Sequence, residues 1–361
     1  MTELIINGAF RGQAVTGQQR YAHEISSEIL RQYPGQAREV APSPWWQKKA
    51  ARAWLWAQSL AVWGRKATLI SLTSRSPILA YRHVLAVHDI FVLTHPEWYS
   101  RKYVMTHAPI LRLQLRTASA IIAVSEPVAE QIVQLTGSRI PVIVAPNAPA
   151  QVFREPVDSR DAAAILQRHS LTAGHFILSV ASKDPRKNLR TLVRAYLNLP
   201  PELRKLYPLV LVGGSSSVFA GVNLPVDPGV RHLGYVSDED LAALYASSSL
   251  VAFPSLDEGF GLPAIEALSA GARLLVSDVE VMRWVCQSFA SYVDPKSEHK
   301  LTYALKTMLD SSDCDESRRA RQEYAHSQFT WRSSAEALIS KLDGLFDLGI
   351  SSTRQGKDEN V

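Results

Sequence analysis

Two glutamates in a glycine-rich segment carry the strongest chemical signal in this 361-residue sequence. Residues 253–271 read Phe-Pro-Ser-Leu-Asp-Glu-Gly-Phe-Gly-Leu-Pro-Ala-Ile-Glu-Ala-Leu-Ser-Ala-Gly, an order that predicts a strand, a loop and a helix. Glu258 lies in the loop and Glu266 about one turn into the helix, so both carboxylates can face one ligand. A carboxylate accepts hydrogen bonds from two hydroxyls of a ribose or a sugar, and Gly259 and Gly261 let the backbone approach a phosphate. The alternative is an ordinary helix start whose acidic residues offset the helix dipole.

A basic pair, Arg186 and Lys187, offers a partner for a phosphate. The pair follows a predicted strand that ends near Val180 and precedes a helix predicted to start near Leu189. The Lys187 ammonium can therefore reach a diphosphate at the strand ends. The alternative is a solvated basic pair before a helix, and it applies more to Arg186 than to Lys187.

Two residues in the first half of the chain are further candidates. His88 follows the predicted strand Val84–Val87. A neutral imidazole at that position can form a hydrogen bond with a sugar hydroxyl, and a charged one can help an oxocarbenium ion and a phosphate to separate. Gly17 opens the first predicted helix, so its backbone can approach a phosphate. The alternatives are a core histidine and a turn glycine without a ligand.

An acidic triplet at residues 238–240 has the Asp-x-Asp pattern that binds a metal and a nucleotide in some enzymes. Here Ser237 immediately precedes a predicted helix. Asp240 stands three positions after Ser237, which is the spacing of a helix cap. We therefore interpret the triplet as structural and predict no metal. Two cysteines, Cys286 and Cys314, are too few for a disulfide framework or a zinc site.

Five of the eight tryptophans lie in a basic segment predicted as one helix over 45–65. That helix would place Trp45, Trp56 and Trp63 within about 20° of one another. Tryptophan mixed with basic residues is typical of a helix at an anionic lipid surface. The candidates for contact with a membrane or an acceptor are Trp45, Lys48, Lys49, Arg52 and Trp63. The alternative is a helix packed on the N-terminal sheet.

Short β-branched segments alternate with helical patterns along the chain, which predicts parallel sheets covered by helices. Residues 145–158, with three prolines and no periodicity, separate two such series. We predict a first domain over 1–150, a second over 151–349 and a disordered tail over 350–361, with a ligand between the domains. The predicted strands are Glu3–Asn7, Thr68–Leu72, Val84–Val87, Ala120–Val124 and Pro141–Val144, then His175–Val180, Pro208–Val212, Leu250–Phe253 and Arg273–Val276.

The charge of the chain is distributed unevenly. Residues 1–149 carry 16 basic and 8 acidic side chains, whereas residues 150–361 carry 23 and 26. From Val40 to His88 there are seven basic residues and no acidic one, which predicts an anionic partner for the first half. No module that reads nucleic acid is recognisable, so we expect no nucleic-acid partner. No apolar run is long enough to span a membrane and the start lacks a basic signal-peptide region, so we expect a cytoplasmic chain.

Five motifs, in order, resemble family four of the retaining glycosyltransferases, which have the two-domain GT-B fold. Besides the Glu-Gly-Phe-Gly-Leu-Pro-x-x-Glu run, they are Thr16-Gly-Gln-Gln-Arg-Tyr21, Val87-His-Asp89, Pro185-Arg-Lys-Asn-Leu189, and His232-Leu-Gly-Tyr-Val-Ser237 leading into Asp240-Leu-Ala-Ala-Leu-Tyr245. Five motifs in order make a specific match that covers most of the chain. The resemblance implies an α/β fold of two Rossmann-like domains whose parallel sheets face a central cleft. It also favours a structural role for Trp56.

The resemblance implies a role for each candidate. Glu266 would hold the ribose, Glu258 the donor sugar, and Lys187 the diphosphate. His88 and Glu258 are the catalytic candidates. A second cation of the family falls at Ser182 in this chain, a departure that Arg186 would compensate or Ser182 would offset by a hydrogen bond. Further donor contacts are implied at Gly17, Tyr235, Val236, Gly259, Phe260, Gly261 and Leu262.

The resemblance predicts a retaining glycosyltransferase that moves a hexose from a nucleotide sugar to a hydroxyl of a saccharide acceptor. The overall pattern resembles bacterial mannosyl- and rhamnosyltransferases of polysaccharide assembly, so GDP-mannose is the first choice of donor and a lipid-linked saccharide the expected acceptor. We predict no metal cofactor, and a location in the cytoplasm or on the inner face of the plasma membrane. The alternatives are a UDP-hexose donor and a non-catalytic GT-B scaffold subunit; an epimerase is disfavoured by the paired glutamates.

Overall fold

The computed structural model describes residues 3–13, 16–61, 67–181, 184–214 and 224–349. The chain divides into two units by its contacts. Unit 1 comprises Met1–Ile90, His107–Asn147 and Trp331–Val361, and unit 2 comprises Phe91–Thr106 and Ala148–Thr330.

Each unit is built on a parallel sheet, with six strands among the described residues. In unit 1 the strands are β1 (Glu3–Asn7), β2 (Ala37–Val40), β3 (Ala67–Ser71), β4 (His83–Val87), β5 (Ala120–Ala123) and β6 (Val142–Val144). In unit 2 they are β7 (Ile177–Val180), β8 (Leu209–Val212), β9 (Val230–Gly234), β10 (Leu250–Phe253), β11 (Leu274–Ser277) and β12 (Ser291–Val293). The orders are β2-β1-β3-β4-β5-β6 and β12-β11-β10-β7-β8-β9.

Helices lie between most successive strands, because crossovers between parallel strands usually contain a helix, and the last three helices follow β12. They are α1 (Gly17–Gln32), α2 (Pro44–Gln47), α3 (Ala50–Gln58), α4 (Phe91–Thr94), α5 (Arg101–Thr117), α6 (Glu126–Thr136), α7 (Ser159–Arg168), α8 (Leu189–Leu197), α9 (Pro201–Leu206), α10 (Asp238–Ser247), α11 (Leu262–Ser269), α12 (Glu280–Cys286), α13 (Glu298–Leu309), α14 (Asp315–Gln328) and α15 (Trp331–Phe346). Short 3-10 turns lie at Pro96–Trp98, Gln151–Phe153, Pro185–Lys187 and Gln287–Phe289. The predicted α/β class with two parallel sheets is confirmed.

The strand order of unit 2 creates a crevice between β7 and β10. These two strands are neighbours, and the strands that follow β7 add on one side of the pair whereas those that follow β10 add on the other. The loops that leave their carboxyl ends therefore run in opposite directions. In open α/β sheets this is the point where a ligand binds.

The division of the chain differs from the prediction of a second domain over 151–349. The boundary between the units lies at Asn147 and Ala148, but α15 returns to unit 1 and Phe91–Thr106 belongs to unit 2. The buried face of α15 packs against α1, with the Trp331 ring centre 5.9 Å from that of Tyr21. An amphipathic helix shows in sequence that it has a buried face, but not which sheet or helix covers that face.

The prediction of one helix over 45–65 is wrong. The structure has two helices, α2 and α3, with extended backbone at Lys49 between them. The carbonyl of Gln47 accepts a hydrogen bond of 2.6 Å from the Gln13 side chain, in place of the bond that would continue the helix. The break resets the helical phase, so the calculated alignment of Trp45 with Trp56 does not hold. Trp56 packs, partly buried, against a core cluster of Ile5, Leu60, Ala67 and Leu69.

Replacing Trp331 with alanine tests the assignment of α15 to unit 1. The change removes a large buried ring from the face that meets Tyr21, and such truncations destabilise by about 3–5 kcal/mol. We expect faster amide hydrogen exchange in α1 and β6, with unchanged exchange in α8. Faster exchange confined to α8 and its neighbours in unit 2 would contradict the assignment.

Candidate active site

Two loops of unit 2 meet outside the carboxyl ends of β7 and β10. The first carries Asp184 to Asn188, and the second carries Ser255 to Gly261. A bond of 2.6 Å from the Lys187 ammonium to Oε1 of Glu258 joins them, although the two residues are 71 positions apart. The structure thus brings together the predicted phosphate ligand and the predicted sugar ligand.

Glu258 is a buried carboxylate held ionised by its surroundings. Its residue is 8% exposed, and Oε1 also accepts a 2.7 Å hydrogen bond from the Ser255 hydroxyl. Burial by itself would raise the pKa of Glu258, but the charges of Lys187 and Arg186 and the bonds from Lys187 and Ser255 hold that pKa below its usual value. The carboxylate is therefore suited to accept hydrogen bonds and is a poor proton acceptor.

Arg186 is held by a buried acid and by an aromatic ring. Asp184, 2% exposed, accepts bonds of 2.9 Å from the Arg186 amide and 2.8 Å from its Nε. The guanidinium carbon also lies 5.2 Å from the centre of the Phe91 ring, within the range of a cation–π contact. Arg186 is thus positioned beside the Lys187–Glu258 pair, as a substitute for the family's second cation requires. Ser182, the other candidate for that role, lies outside the described residues.

Asn188 fastens the first loop to the rest of the sheet. Its backbone is left-handed, with φ at 54°, a conformation that asparagine tolerates better than most residues. Its side-chain amide donates bonds of 3.0 Å to the carbonyl of Pro254 and 2.7 Å to that of Pro295. One residue therefore connects the segments that follow β7, β10 and β12.

The second loop ends at the N-terminus of α11. Gly261 has φ at +86°, and a Cβ there would lie 3.1 Å from the Met282 side chain, so any other residue would be strained at this position. Phe260 is buried edge-on against Trp284 and Phe329, so its side chain anchors the loop and only its backbone can meet a donor. Leu262 is the first residue of α11, and further along the helix Glu266 is 5% exposed.

His88 of unit 1 lies at the carboxyl end of β4, as predicted. Its Nε2 is 3.0 Å from the Leu72 carbonyl, and its ring stands edge-on to Tyr21 at 5.0 Å. Because a carbonyl only accepts, Nε2 carries the proton and Nδ1 of the neutral ring is an acceptor. Burial lowers the pKa of His88 more than the Leu72 bond and the charge of Asp89 raise it, which keeps the imidazole neutral near pH 7.

The remaining donor candidates lie elsewhere in the two units. Gly17 is exposed and is the first residue of α1. Tyr235, 84% exposed, and Val236 follow β9. The structure confirms that Ser237 caps α10, because its hydroxyl accepts the Asp240 amide at 3.2 Å.

The basic–aromatic patch, defined as Trp45, Lys48, Lys49 and Arg52, lies on unit 1. Trp45 is 54% exposed, and the Arg52 guanidinium lies 4.1 Å from the centre of its ring. Both lysines are exposed, and so is Leu55 on α3. Trp63, the fifth candidate, lies outside the described residues.

Three residues that position the candidates were not identified from the sequence. Asp184 could have been recognised, because Asp before Pro is a helix-start signal, and it caps the turn at Pro185–Lys187. Ser255 stands three residues before Glu258, a spacing that resembles a capping box although the bond runs between the side chains. Asn188 lay inside a quoted motif, but its two partners depend on the tertiary fold.

The described ranges contain neither a candidate metal centre nor a candidate membrane-spanning helix. No group of three or more His, Cys, Asp or Glu side chains there is arranged to hold a metal ion. Every helix within them is too short or too polar to cross a lipid bilayer.

Comparison with known proteins identifies the family. A family model described as glycosyl transferases group 1 matches residues 165–328. The chain is also 30% identical, over 264 residues, to the O-antigen chain mannosyltransferase B of Escherichia coli, a match that covers 72% of this chain and 69% of that protein. The chain belongs to the group 1 glycosyltransferases. The resemblance to family four is therefore confirmed, and the protein is a glycosyltransferase.

A second relative and a solved structure are also similar to this glycosyltransferase. It is 28% identical over 298 residues to the serotype-specific mannosyltransferase WbdA of Escherichia coli, which covers 78% of this chain but only 36% of WbdA. Sucrose-phosphate synthase from Thermosynechococcus elongatus superimposes with a TM-score of 0.69 at 17% identity, over 96% of this chain and 100% of that one. The second likeness confirms the GT-B fold.

Substitutions of Asn188 separate its hydrogen bonds from its backbone conformation. Asn188→Gly keeps the left-handed backbone but leaves the Pro254 and Pro295 carbonyls without their donor, a loss of about 1–3 kcal/mol. Asn188→Ala adds strain of about 1 kcal/mol or more at positive φ. We expect thermal unfolding temperatures in the order wild type, glycine variant, alanine variant. A glycine variant as stable as wild type would show that the two bonds contribute nothing.

Proposed function

We propose that this glycosyltransferase binds the diphosphate and the sugar of its nucleotide-sugar donor at the two loops of unit 2. The observation that carries the proposal is the contact of Lys187 with Glu258 at the crevice between β7 and β10. An ammonium and a hydrogen-bond-accepting carboxylate at one point match a ligand that has a diphosphate next to a hydroxylated ring. Lys187 and the amides at the start of α11 would bind the diphosphate, Glu258 the sugar hydroxyls, and Glu266 the ribose.

We propose transfer with retention at the anomeric carbon. Glu258 is held as a poor base, so the leaving phosphate is the better acceptor for the proton of the attacking hydroxyl. His88, neutral and with Nδ1 as an acceptor, would bind a sugar hydroxyl. Lys187 would supply the positive charge and Arg186 further hydrogen-bond donors, without a metal ion. The Asp240 carboxylate already forms a salt bridge of 2.9 Å with Arg168.

The donor sugar is proposed from the relatives. Both relatives named above are mannosyltransferases, and one is named for the O-antigen chain. We therefore propose mannose transfer from GDP-mannose to a saccharide hydroxyl in polysaccharide assembly, with a lipid-linked saccharide as acceptor. A UDP-hexose is the alternative donor, and nucleotide binding distinguishes the two.

Loss of the Lys187 charge tests the donor site. We expect wild type to be stabilised by GDP more than by UDP or ADP, and to add one hexose from GDP-mannose to polyprenyl-diphosphate-linked di- or trisaccharides. Lys187→Met removes the charge that meets the diphosphate, so kcat/KM should fall about 100-fold or more. Mass spectrometry of the product measures transfer, and Lys306→Met, at an exposed position on α13, is the control.

Two results would contradict this assignment. Undiminished transfer by Lys187→Met would remove Lys187 from the donor site. Indifference of wild type to all three nucleotides would count against an active transferase and favour a scaffold subunit.

We further propose that the basic–aromatic patch binds an anionic membrane surface. Trp45 presents an exposed ring, Leu55 adds apolar area, and Lys48 and Lys49 add positive charge in a sequence region without acidic residues. An exposed aromatic ring flanked by lysines suits the boundary between lipid headgroups and acyl chains. A membrane location would bring the enzyme to a lipid-linked acceptor.

Charge reversal in the patch tests the membrane proposal. Each lysine near an anionic surface contributes about 1 kcal/mol, so Lys48→Glu with Lys49→Glu should weaken binding at least tenfold. Flotation with vesicles of phosphatidylglycerol and phosphatidylcholine measures binding. Lys306→Glu with Lys341→Glu makes the same charge change at exposed positions elsewhere and should bind like wild type. Equal losses in both double variants would show that only net charge matters.

A further inference from the structure

Four described charged side chains on the two loops form two ion pairs before any ligand binds. Lys187 contacts Glu258 at 2.6 Å, and Arg186 contacts Asp184 at 2.7 Å. Two cations and two carboxylates therefore balance before any ligand binds. A diphosphate, with at least two negative charges, therefore meets cations at Arg186 and Lys187 that already contact carboxylates.

The Lys187–Glu258 pair responds differently to a nucleoside diphosphate and to a nucleotide sugar. A free diphosphate draws the Lys187 ammonium towards itself and brings nothing that can bond to Glu258. The carboxylate, 8% exposed, then keeps the Ser255 hydroxyl and the charge of nearby Arg186 but loses the ammonium in direct contact with it, which is unfavourable for a buried charge. A nucleotide sugar brings hydroxyl donors together with the diphosphate, so the carboxylate exchanges one partner for another.

We infer that the Lys187–Glu258 ion pair makes the site select the intact nucleotide sugar over the free nucleoside diphosphate. This inference rests on the proposed function, because it assigns the diphosphate to Lys187 and the sugar to Glu258. It adds a specificity role to a contact that is present before the donor binds.

The same exchange favours release of the product. When the hexose has moved to the acceptor, the hydroxyl donors leave Glu258 with it. The carboxylate then competes with the diphosphate for Lys187, and the re-formed pair weakens the hold on the nucleotide. Binding of donor and release of product thus depend on one bond of 2.6 Å.

The test uses Glu258→Gln, which keeps the size of the side chain and its capacity to bond Ser255 but removes the charge. Calorimetry with GDP and GDP-mannose, and in parallel with UDP and UDP-glucose, measures binding to the full chain. For the nucleotide pair that wild type binds, we expect the free diphosphate to bind at least fivefold tighter to Glu258→Gln. The nucleotide sugar should bind no tighter, so the preference of the site for it falls at least fivefold.

The same Glu258→Gln change made in a Lys187→Met variant distinguishes competition for Lys187 from electrostatic repulsion between Glu258 and the diphosphate. In Lys187→Met there is no ion pair to break, so adding Glu258→Gln should change the affinity for the free diphosphate less than twofold. If the gain is equally large in both backgrounds, repulsion alone explains it and the inference is overturned. Glu316→Gln, the same change at an exposed position on α14, should bind like wild type.

Failure of the inference can be distinguished from failure of the proposed function. If wild type binds a nucleotide sugar but Glu258→Gln binds the free diphosphate no tighter, the inference alone is overturned. Equal tightening of both ligands also overturns it alone. If wild type binds none of the four nucleotides, the proposed function falls, and the inference with it.

Discussion

The proposed donor site depends on one partly buried ion pair between two loops. Lys187 and Glu258 are 71 positions apart, and only the neighbouring placement of β7 and β10 brings their loops together. Removing two charges from water is unfavourable, and the pair persists because the geometry is close and Ser255 adds a hydrogen bond. The contact is therefore better understood as a feature of binding than as a source of stability.

Other residues hold the loops so that this pair can form. Asp184 caps its turn and bonds the Arg186 side chain, while Asn188 reaches two carbonyls that belong to other segments. Phe260 anchors the second loop through buried aromatic contacts. Short polar side chains thus satisfy the backbone where the loops turn, and an aromatic side chain supplies the packing.

The predictable part of the fold is the part that is buried on both faces. β3, β4 and β5 consist mainly of apolar or β-branched residues, and the predicted bounds agree with the observed ones to about one residue. β2 reads Ala-Arg-Glu-Val and β12 reads Ser-Tyr-Val, and both lie at the edge of a sheet. Pairing with a neighbouring strand stabilises them more than their own sequence does. The sequence therefore predicts neither of them, nor the edge strand β9. The break before α3 depends on a bond from Gln13, and the place of α15 depends on α1; neither partner is visible locally.

In the site, too, the local sequence predicts the chemistry of single residues but not the partners that the fold brings to them. The motifs identified Lys187 and Glu258, whose chemistry is local, but not the pairing that fixes what each can do. Arg186 was predicted to replace a cation of the family, yet its charge is matched by Asp184, 2% exposed. It can donate hydrogen bonds to a phosphate but adds no net positive charge while Asp184 is ionised. In the proposed donor site the charge of a bound diphosphate would therefore be met by the α11 amides and by Lys187 as it leaves Glu258, so among the described residues the Lys187 ammonium would contribute most to affinity.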